Sequence, residues 1–285
     1  MHRAVNVASR LGALALAVLL LGQGAVFQHA MAEETEPVSP DADFTVREIT
    51  AALFKAKPGD RIDYSNHDLT YLDLAGLDFK GANLAHSDLY GTDFTGSNLK
   101  GTNLSHTRLN RSVLIRADLS GADLTDATIF RPTIYSDLSS NLADAPKFAG
   151  ANLSGVRVMA NLSGANFRGA KMANADFSPL EARPGQGTIT SLMKNVLKSC
   201  DFSGADLHGA NFDRADLTFA RFVGANLAGA NLKKTDLSKV DFSGADLTGA
   251  DLTDADLYGA NLTGVKGLDS VKGLATAVNL DKTTR

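Results

Sequence analysis

The stretch GADLTGADLTDADLYGANLT, from Gly244 to Thr263, repeats one five-residue pattern four times without a break. From Phe202 to Leu262 every fifth residue, 13 in a row, is Leu or Phe. Two positions before each of them stands a small residue, which is Ala in 10 of the 13 repeats. The same spacing runs from Leu69 to Ile134. Because a strict period of five fits neither a helix nor a strand, it indicates a solenoid.

The repeated unit reads A-[DN]-[LF]-x-x over most of residues 62–264, and in this it resembles the pentapeptide-repeat family. The resemblance implies an all-β solenoid, a right-handed quadrilateral β-helix with four pentapeptides in each turn. The residues agree with that expectation. In each repeat the Leu or Phe and the small residue can point inward, while the other three face outward or turn the corner.

A turn of 20 residues predicts which side chains stack on one another. Phe202, Phe222 and Phe242 lie 20 residues apart and should form one aromatic column in the core. Cys200 occupies the small inward position beside that column. It could be a redox-active thiol, but a buried substitute for Ala is the interpretation that we favour.

The two ends of the solenoid need caps. Thr45 and Glu48 form a capping-box pattern, which predicts a helix within an N-terminal capping segment at 44–61. Residues 33–43 are acidic, and we expect a flexible lead there. Beyond the repeats at 62–264, we expect a C-terminal cap and tail at 265–285.

The repeat pattern is irregular at 135–148 and is lost at 178–198. The second break contains Pro and Gly residues followed by apolar residues at helical spacing, so it predicts a loop-helix insertion that protrudes from the coil. Since such decorations often carry specificity, this insertion supplies our candidate partner-binding residues. They are Arg183, Gln186, Ile189 and Met193.

The first 32 residues have the features of a cleaved secretory signal. Arg3 and Arg10 are followed by an apolar segment and by the cleavage-site pattern Ala30-Met31-Ala32. We therefore predict export to the bacterial periplasm or beyond. A start at Met31 would instead leave the protein in the cytoplasm.

The charge and the cysteine count restrict the partners. Without residues 1–32, which carry two Arg and no acid, the net charge falls from −4 to −6, which argues against nucleic acid as a partner. A single Cys excludes a disulfide framework. We expect no cofactor, no membrane span and an unidentified protein partner, and a homodimer remains one option.

Two histidines suggest a metal site. His86 and His106 lie 20 residues apart at an outward position, and Asp126 extends the same column. Two imidazoles and a carboxylate could bind a transition metal, but the interpretation that we favour is an accidental alignment of polar residues at an outward position. No catalytic motif such as GxSxG, HExxH or a P-loop is present.

These observations favour a non-catalytic interaction or scaffold protein of the cell envelope. An alternative comes from the family resemblance, because quinolone-resistance pentapeptide proteins imitate duplex DNA and engage DNA gyrase. The export signal would place this chain in the wrong compartment for that activity. A third hypothesis is an enzyme built on the insertion, but a filled core offers no substrate cavity.

Overall fold

The computed structural model describes residues 42–57, 59–136, 141–179 and 194–285. The predicted export signal, the lead up to residue 41 and the candidates Arg183, Gln186, Ile189 and Met193 lie outside these residues. Within the described part of the chain, no helix has the length and apolar composition that a membrane span requires.

The N-terminal helix α1 spans Val46–Lys55 and packs on the first coil. Its capping box is formed, since the hydroxyl of Thr45 accepts from the Glu48 amide and the Glu48 carboxylate accepts from the Thr45 amide. Ile49 and Leu53 are buried in the same apolar cluster as Tyr64. Asp43, which we placed in the flexible lead, is instead bonded to the backbone of Asp68.

The rest of the chain forms coils joined by parallel β-bridges between residues one turn apart. Four ladders of bridges run through the coil, and they begin with the pairs Asp63–Asn83, Asp68–Asp88, Asp73–Asp93 and Asp78–Asn98. We number the sides of the coil 1 to 4 after these ladders. Four ladders with a shift of 20 residues give the quadrilateral coil that the sequence predicts.

Backbone hydrogen bonds explain why the repeat prefers Asp or Asn before each inward residue. The N–H of Leu69 donates to the carbonyl of Asp88 in the next coil at 2.9 Å, as in a parallel sheet. The Asp68 carboxylate accepts from the N–H of Thr70, also at 2.9 Å. An Asp or Asn at this position therefore satisfies the first amide of the corner that follows.

The interior is filled by the inward side chains. From Leu69 to Leu262 the Leu, Phe, Ile, Val or Met residue that directly follows each ladder residue is at most 3% exposed. The predicted stack of Phe202, Phe222 and Phe242 is confirmed, with ring centroids 4.8 and 5.2 Å apart. It continues through two further stacked rings, Phe167 and Phe148.

Two insertions interrupt the ladders. Along the chain, the bridged residue Thr133 on side 3 is followed by Lys147 on side 4 as the next bridged residue. The first insertion therefore comprises residues 134–146. In the same way, Asp176 on side 2 is followed by Val196 on side 3 as the next bridged residue. The second insertion therefore comprises residues 177–195. The only two strands longer than one bridge in the described residues, β1 (Thr128–Phe130) and β2 (Arg157–Met159), pair in parallel on side 2, β1 before the first insertion and β2 after it.

The insertion boundaries differ from those predicted. We assigned Val196 and Leu197 to the helical part of the insertion, but Val196 pairs with Asn161 and Leu197 is fully buried in the core. Likewise Phe148, placed in the irregular region, is a core residue.

The C-terminal segment differs from the cap and tail that we predicted at 265–285. Residues 266–285 form one more coil, in which the ladder residues Lys266, Lys272, Val278 and Thr284 lie six apart instead of five. The extra residue on each side is accommodated by a tight turn, and 3₁₀ turns occur at Leu268–Ser270 and Leu280–Lys282. Leu268, Val271 and Leu274 pack against the core from this wider coil.

Candidate functional site

In the described coils the inward side chains are buried against one another, so we look for the candidate site on the outer surface. Open depressions occur at the two ends of the coil. One is lined by Leu280, Asp281, Thr283 and Arg285, and the other lies between α1 and the first coil. Neither contains a pair of groups placed for acid–base or nucleophilic catalysis. The insertions are the parts of the surface that depart from the repeat.

Asp144 closes the base of the first insertion. It is 3% exposed, and its carboxylate accepts from the amide and hydroxyl of Ser136 and pairs with Arg116 at 3.2 Å. The hydrogen bonds from Ser136, together with the charge of Arg116, hold the pKa of Asp144 below its usual value. The insertion is thereby joined to the coil at its two ends.

The first insertion also covers part of side 3. The hydroxyl of Tyr135 donates to the carbonyl of Ser163 at 2.8 Å. The half-exposed Leu142 lies over Gly164, where an added Cβ would come within 2.8 Å of the Leu142 side chain. A side chain at that corner would displace Leu142, so this part of the insertion is seated against the coil.

Asn195 closes the base of the second insertion. It is fully buried, and its amide group donates to the carbonyls of Val158 and Phe177 at 2.9 and 2.6 Å. Its side-chain oxygen accepts from the N–H of Ala160 at 2.7 Å. The chain is one residue short before side 3 of this coil, because the ladder residues Arg157 and Asn161 are four positions apart instead of five. The Asn195 amide therefore supplies hydrogen bonds where the backbone cannot.

A second anchor lies beside Asn195. Both Lys194 and Lys198 are 3.3 Å from the Asp216 carboxylate, whose residue is 5% exposed. Burial would raise the pKa of Asp216, but hydrogen bonds from Thr218 and the charges of the two lysines outweigh it, so the pKa is lowered. The C-terminal end of the second insertion is thus held by a charge-assisted contact to the next coil.

The predicted metal residues form a column on side 1. The rings of His86 and His106 are stacked 4.6 Å apart and nearly parallel, and Nδ1 of His106 lies 3.9 Å from the Asp126 carboxylate. Across residues 42–57, 59–136, 141–179 and 194–285, no three His, Cys, Asp or Glu side chains form a cluster suited to a metal ion. The column is real, but its side chains stack instead of converging.

Cys200 is a structural residue. It is fully buried, and its Sγ lies 3.1 Å from the carbonyl of Leu162. Burial raises the pKa of its thiol to about 12, so the thiolate needed for redox chemistry is not formed near neutral pH. The interpretation as a buried substitute for Ala therefore agrees with the structure.

The anchoring residues Asp144 and Asn195 were not predicted. Both sit in segments where the five-residue pattern fails, so no period marked them as inward-facing. The shortened spacing from Val158 to Leu162 was visible in the sequence, and it was the signal that a neighbouring polar residue must complete the backbone pairing.

Comparison with protein families gives one match. The profile described as pentapeptide repeats matches eight copies. Together the matched segments cover more than half of the chain, and they are residues 68–101, 93–129, 160–178, 196–227 and 225–264. A comparison with curated protein sequences found no match.

Several solved structures are similar to this chain. HetL, a pentapeptide repeat protein involved in heterocyst differentiation regulation in Nostoc sp. strain PCC 7120, is 26% identical, with 85% of this chain and 94% of HetL covered and a TM-score of 0.44. Rfr23 from Cyanothece 51142 is also 26% identical over 44% of this chain and 90% of its own, with a TM-score of 0.28. QnrB1, a plasmid-mediated fluoroquinolone resistance protein, is 20% identical over 75% and 97%, with a TM-score of 0.33.

Proposed function

This chain belongs to the pentapeptide-repeat family, and from that premise we propose that it is a non-catalytic protein-binding solenoid exported to the cell envelope. The filled interior is the observation that carries the proposal. Since the coil has no internal cavity for a substrate, its outer surface is what it offers to other molecules. We take the coil to be right-handed, as the family resemblance implies, with α1 acting as its N-terminal cap.

The second insertion is the proposed recognition element. Its ends are fixed by Asn195 and by the contact of Lys194 with Asp216, while the ladder closes beneath it through the Asn161–Val196 bridge. A segment held in this way can differ in sequence without altering the core. The candidate residues Arg183, Gln186, Ile189 and Met193 remain predictions.

The experiment replaces residues 180–193 with a short Gly/Ser linker, leaving Lys194, Asn195 and Val196 in place. We expect the variant to keep the circular dichroism spectrum and most of the thermal stability of the parent, because all bridges of the coil are retained. Proteins captured by the parent from a periplasmic extract, identified by mass spectrometry, should be lost. The control replaces residues 137–140 of the first insertion with Gly/Ser of equal length.

Two outcomes would contradict the proposed role of the second insertion. If the 180–193 variant captures every protein that the parent captures, recognition lies on the regular sides or on the first insertion. If it unfolds, the segment is part of the scaffold. Sedimentation equilibrium of the parent tests the homodimer that the sequence left open.

Export is a separate part of the proposal. We propose cleavage after Ala32, which leaves Glu33 as the first residue of the exported protein. N-terminal sequencing of protein purified from its own cells checks this directly. Retention of Met1 or Met31 would contradict export and would revive the hypothesis of a cytoplasmic target.

The alternative function, imitation of DNA towards gyrase, requires unneutralised negative charge along the coil. Here several of the ladder carboxylates pair with Lys or Arg, which lowers the negative charge along part of the coil. Examples are Asp88 with Arg108, Asp118 with Lys100, Asp201 with Arg168, and Asp251 with Lys233. A gyrase supercoiling assay with and without the purified protein tests the alternative, and we expect no effect.

A further inference from the structure

A stretch of side 2 carries charge opposite to that of the whole chain. Three consecutive coils place the segments 108–111, 128–131 and 157–160 on this side. These segments contain no Asp or Glu, although the chain has a net charge of −4. Their basic residues are Arg108, Arg111, Arg131 and Arg157. We call these arginines, together with Tyr71 and Tyr90 from the two preceding coils, the arginine–tyrosine face.

Neighbouring groups hold the tyrosine half of the face in place. The Tyr71 ring lies over Gly91, where an added Cβ would be 2.6 Å from the ring. Tyr90 meets Tyr71 edge to face, with ring centroids 5.4 Å apart. The Arg108 guanidinium stands 4.8 Å from the centroid of Tyr90 and is also bound by the Asp88 carboxylate. A partner therefore meets two rings and a guanidinium that are already ordered.

The backbone fixes the corners that present the arginine half. The N–H of Arg111 donates to the carbonyl of Phe130 at 2.8 Å. The N–H of Arg131, the residue after β1, donates to the carbonyl of Met159 at the same distance. These two corners lie one coil apart, which is about 5 Å in a sheet. Arg111, Arg131 and Arg157 are exposed, so their guanidinium groups are accessible from one side of the coil.

We propose that the arginine–tyrosine face docks a short acidic segment of a protein partner. A guanidinium can bind a carboxylate of Asp or Glu through two parallel hydrogen bonds. Tyrosine and arginine are also enriched among the residues that contribute most to protein–protein binding. Because the chain as a whole is acidic, it would repel an extended polyanion such as nucleic acid, so a short segment fits the face better. The inference rests on the proposed protein-binding function and adds a surface outside the second insertion.

The test measures, by fluorescence polarisation, the binding of a short labelled peptide of alternating Glu and Ser to the full chain. The variant combines Arg111→Asn with Arg131→Asn, since Asn tolerates the left-handed backbone of these corners. It should keep the circular dichroism spectrum of the parent and bind the peptide about tenfold or more weakly. Added salt should weaken binding to the parent, and a peptide of alternating Gln and Ser should not bind.

The matched control combines Arg214→Asn with Lys234→Asn. These residues occupy the same corner of side 2 in two later consecutive coils, with φ of 59° and 55°. The control therefore removes the same charge from the same backbone conformation away from the face. It should bind the Glu peptide as the parent does, and so should the variant in which residues 180–193 are replaced.

Three results would overturn the proposal. They are no binding of the Glu peptide to the parent, equal losses in the Arg111/Arg131 variant and its control, and tighter binding of phosphatidylglycerol vesicles or oligothymidine through the same arginines. None of them bears on the second insertion, whose role is measured separately by the capture experiment. Conversely, a 180–193 variant that captures every partner but still binds the peptide counts against the second insertion and leaves this face supported.

Discussion

At the scale of single residues, the period of five separates the side chains that point into the core from those that point outward. Phe222 was predicted to lie in the middle of an aromatic column, and it is fully buried between Phe202 and Phe242. Phe219, three positions earlier, turns a corner and is half exposed. The sequence distinguishes the two because only one of them keeps the five-residue spacing.

Phe222→Ala should lower the free energy of unfolding by about 3–5 kcal/mol, because it leaves a cavity inside a stacked column. Phe219→Ala is the matched control. It removes an exposed ring that contacts Lys239 and should cost about 1 kcal/mol or less. Urea denaturation followed by circular dichroism measures both. Equal losses for the two variants would contradict the assigned inward and outward positions.

Asn195 could not be predicted from the repeat, yet its side chain satisfies three backbone groups. Asn195→Ala leaves buried hydrogen-bonding groups of Val158, Ala160 and Phe177 unpaired, at about 1–3 kcal/mol for each group that water cannot reach. We expect a loss of at least about 2 kcal/mol in urea denaturation. Lys194→Ala should change stability by about 1 kcal/mol or less, since Lys198 still pairs with Asp216.

At the scale of the elements, the ladder carboxylates couple the corners to pH. The pKa of Asp216 is lowered from 3.8, and other carboxylates shift in the same direction, namely Asp63, Asp118, Asp201, Asp206, Asp246 and Asp251. A carboxylate whose pKa is lower in the folded state than in the unfolded state stabilises the protein at pH values above the unfolded-state pKa. This stabilisation is lost as the pH falls through the folded-state pKa. The coil should therefore lose stability below about pH 4.

Thr218→Val tests this coupling through one corner. The Thr218 hydroxyl donates to Asp216, so its loss should destabilise the protein at neutral pH and matter less at acid pH, where the carboxylate is protonated. In the control Thr263→Val, the lost hydroxyl donates to Asn261, which does not titrate. Thermal melting across the pH range should show a pH-dependent difference for the first variant only.

The wider C-terminal coil was not predicted because its residues do not recur at the spacing of five that marks the other coils. Leu268, Leu274 and Leu280 are six apart, each preceded by Gly or Asn, and three such units give no long series. From the sequence alone the segment was predicted to be a tail, because the positions of its corner residues are evident only in the structure. Its left-handed residues, Gly267, Gly273 and Asn279, mark the corners in the structure.

Gly267→Ala tests the geometry of the wider coil. An added Cβ at Gly267 would lie 2.6 Å from the backbone nitrogen of Thr248, and φ is +75°. Gly224 has φ of +65° and no atom near an added Cβ. Gly224→Ala should cost only the backbone penalty, about 1–2 kcal/mol, and Gly267→Ala about 1–3 kcal/mol more. Similar losses in urea denaturation would show that the C-terminal coil is not packed on Thr248.

At the scale of the whole molecule, the sequence predicted the architecture and left the recognition surface open. The four-sided coil follows from local rules repeated at every fifth residue, so each repeat gives independent support. The insertions obey no repeated rule, and their ends are fixed by unique residues such as Asp144 and Asn195. Sequence reasoning therefore located the second insertion but misplaced its end at residue 198, two residues beyond the ladder residue Val196 where the coil resumes.

The column of stacked rings shows that the second insertion does not change the spacing of the coils on either side of it. Phe167 and Phe202 are 35 residues apart in the chain, against 20 for Phe202 and Phe222, yet the two ring separations are 4.9 and 4.8 Å. Closing a chain segment of 35 residues instead of 20 costs about 0.5 kcal/mol in entropy. Lengthening the second insertion further would cost similarly little. In evolution or in engineering, this corner can accept segments of different length while the stacked coils on either side stay in register.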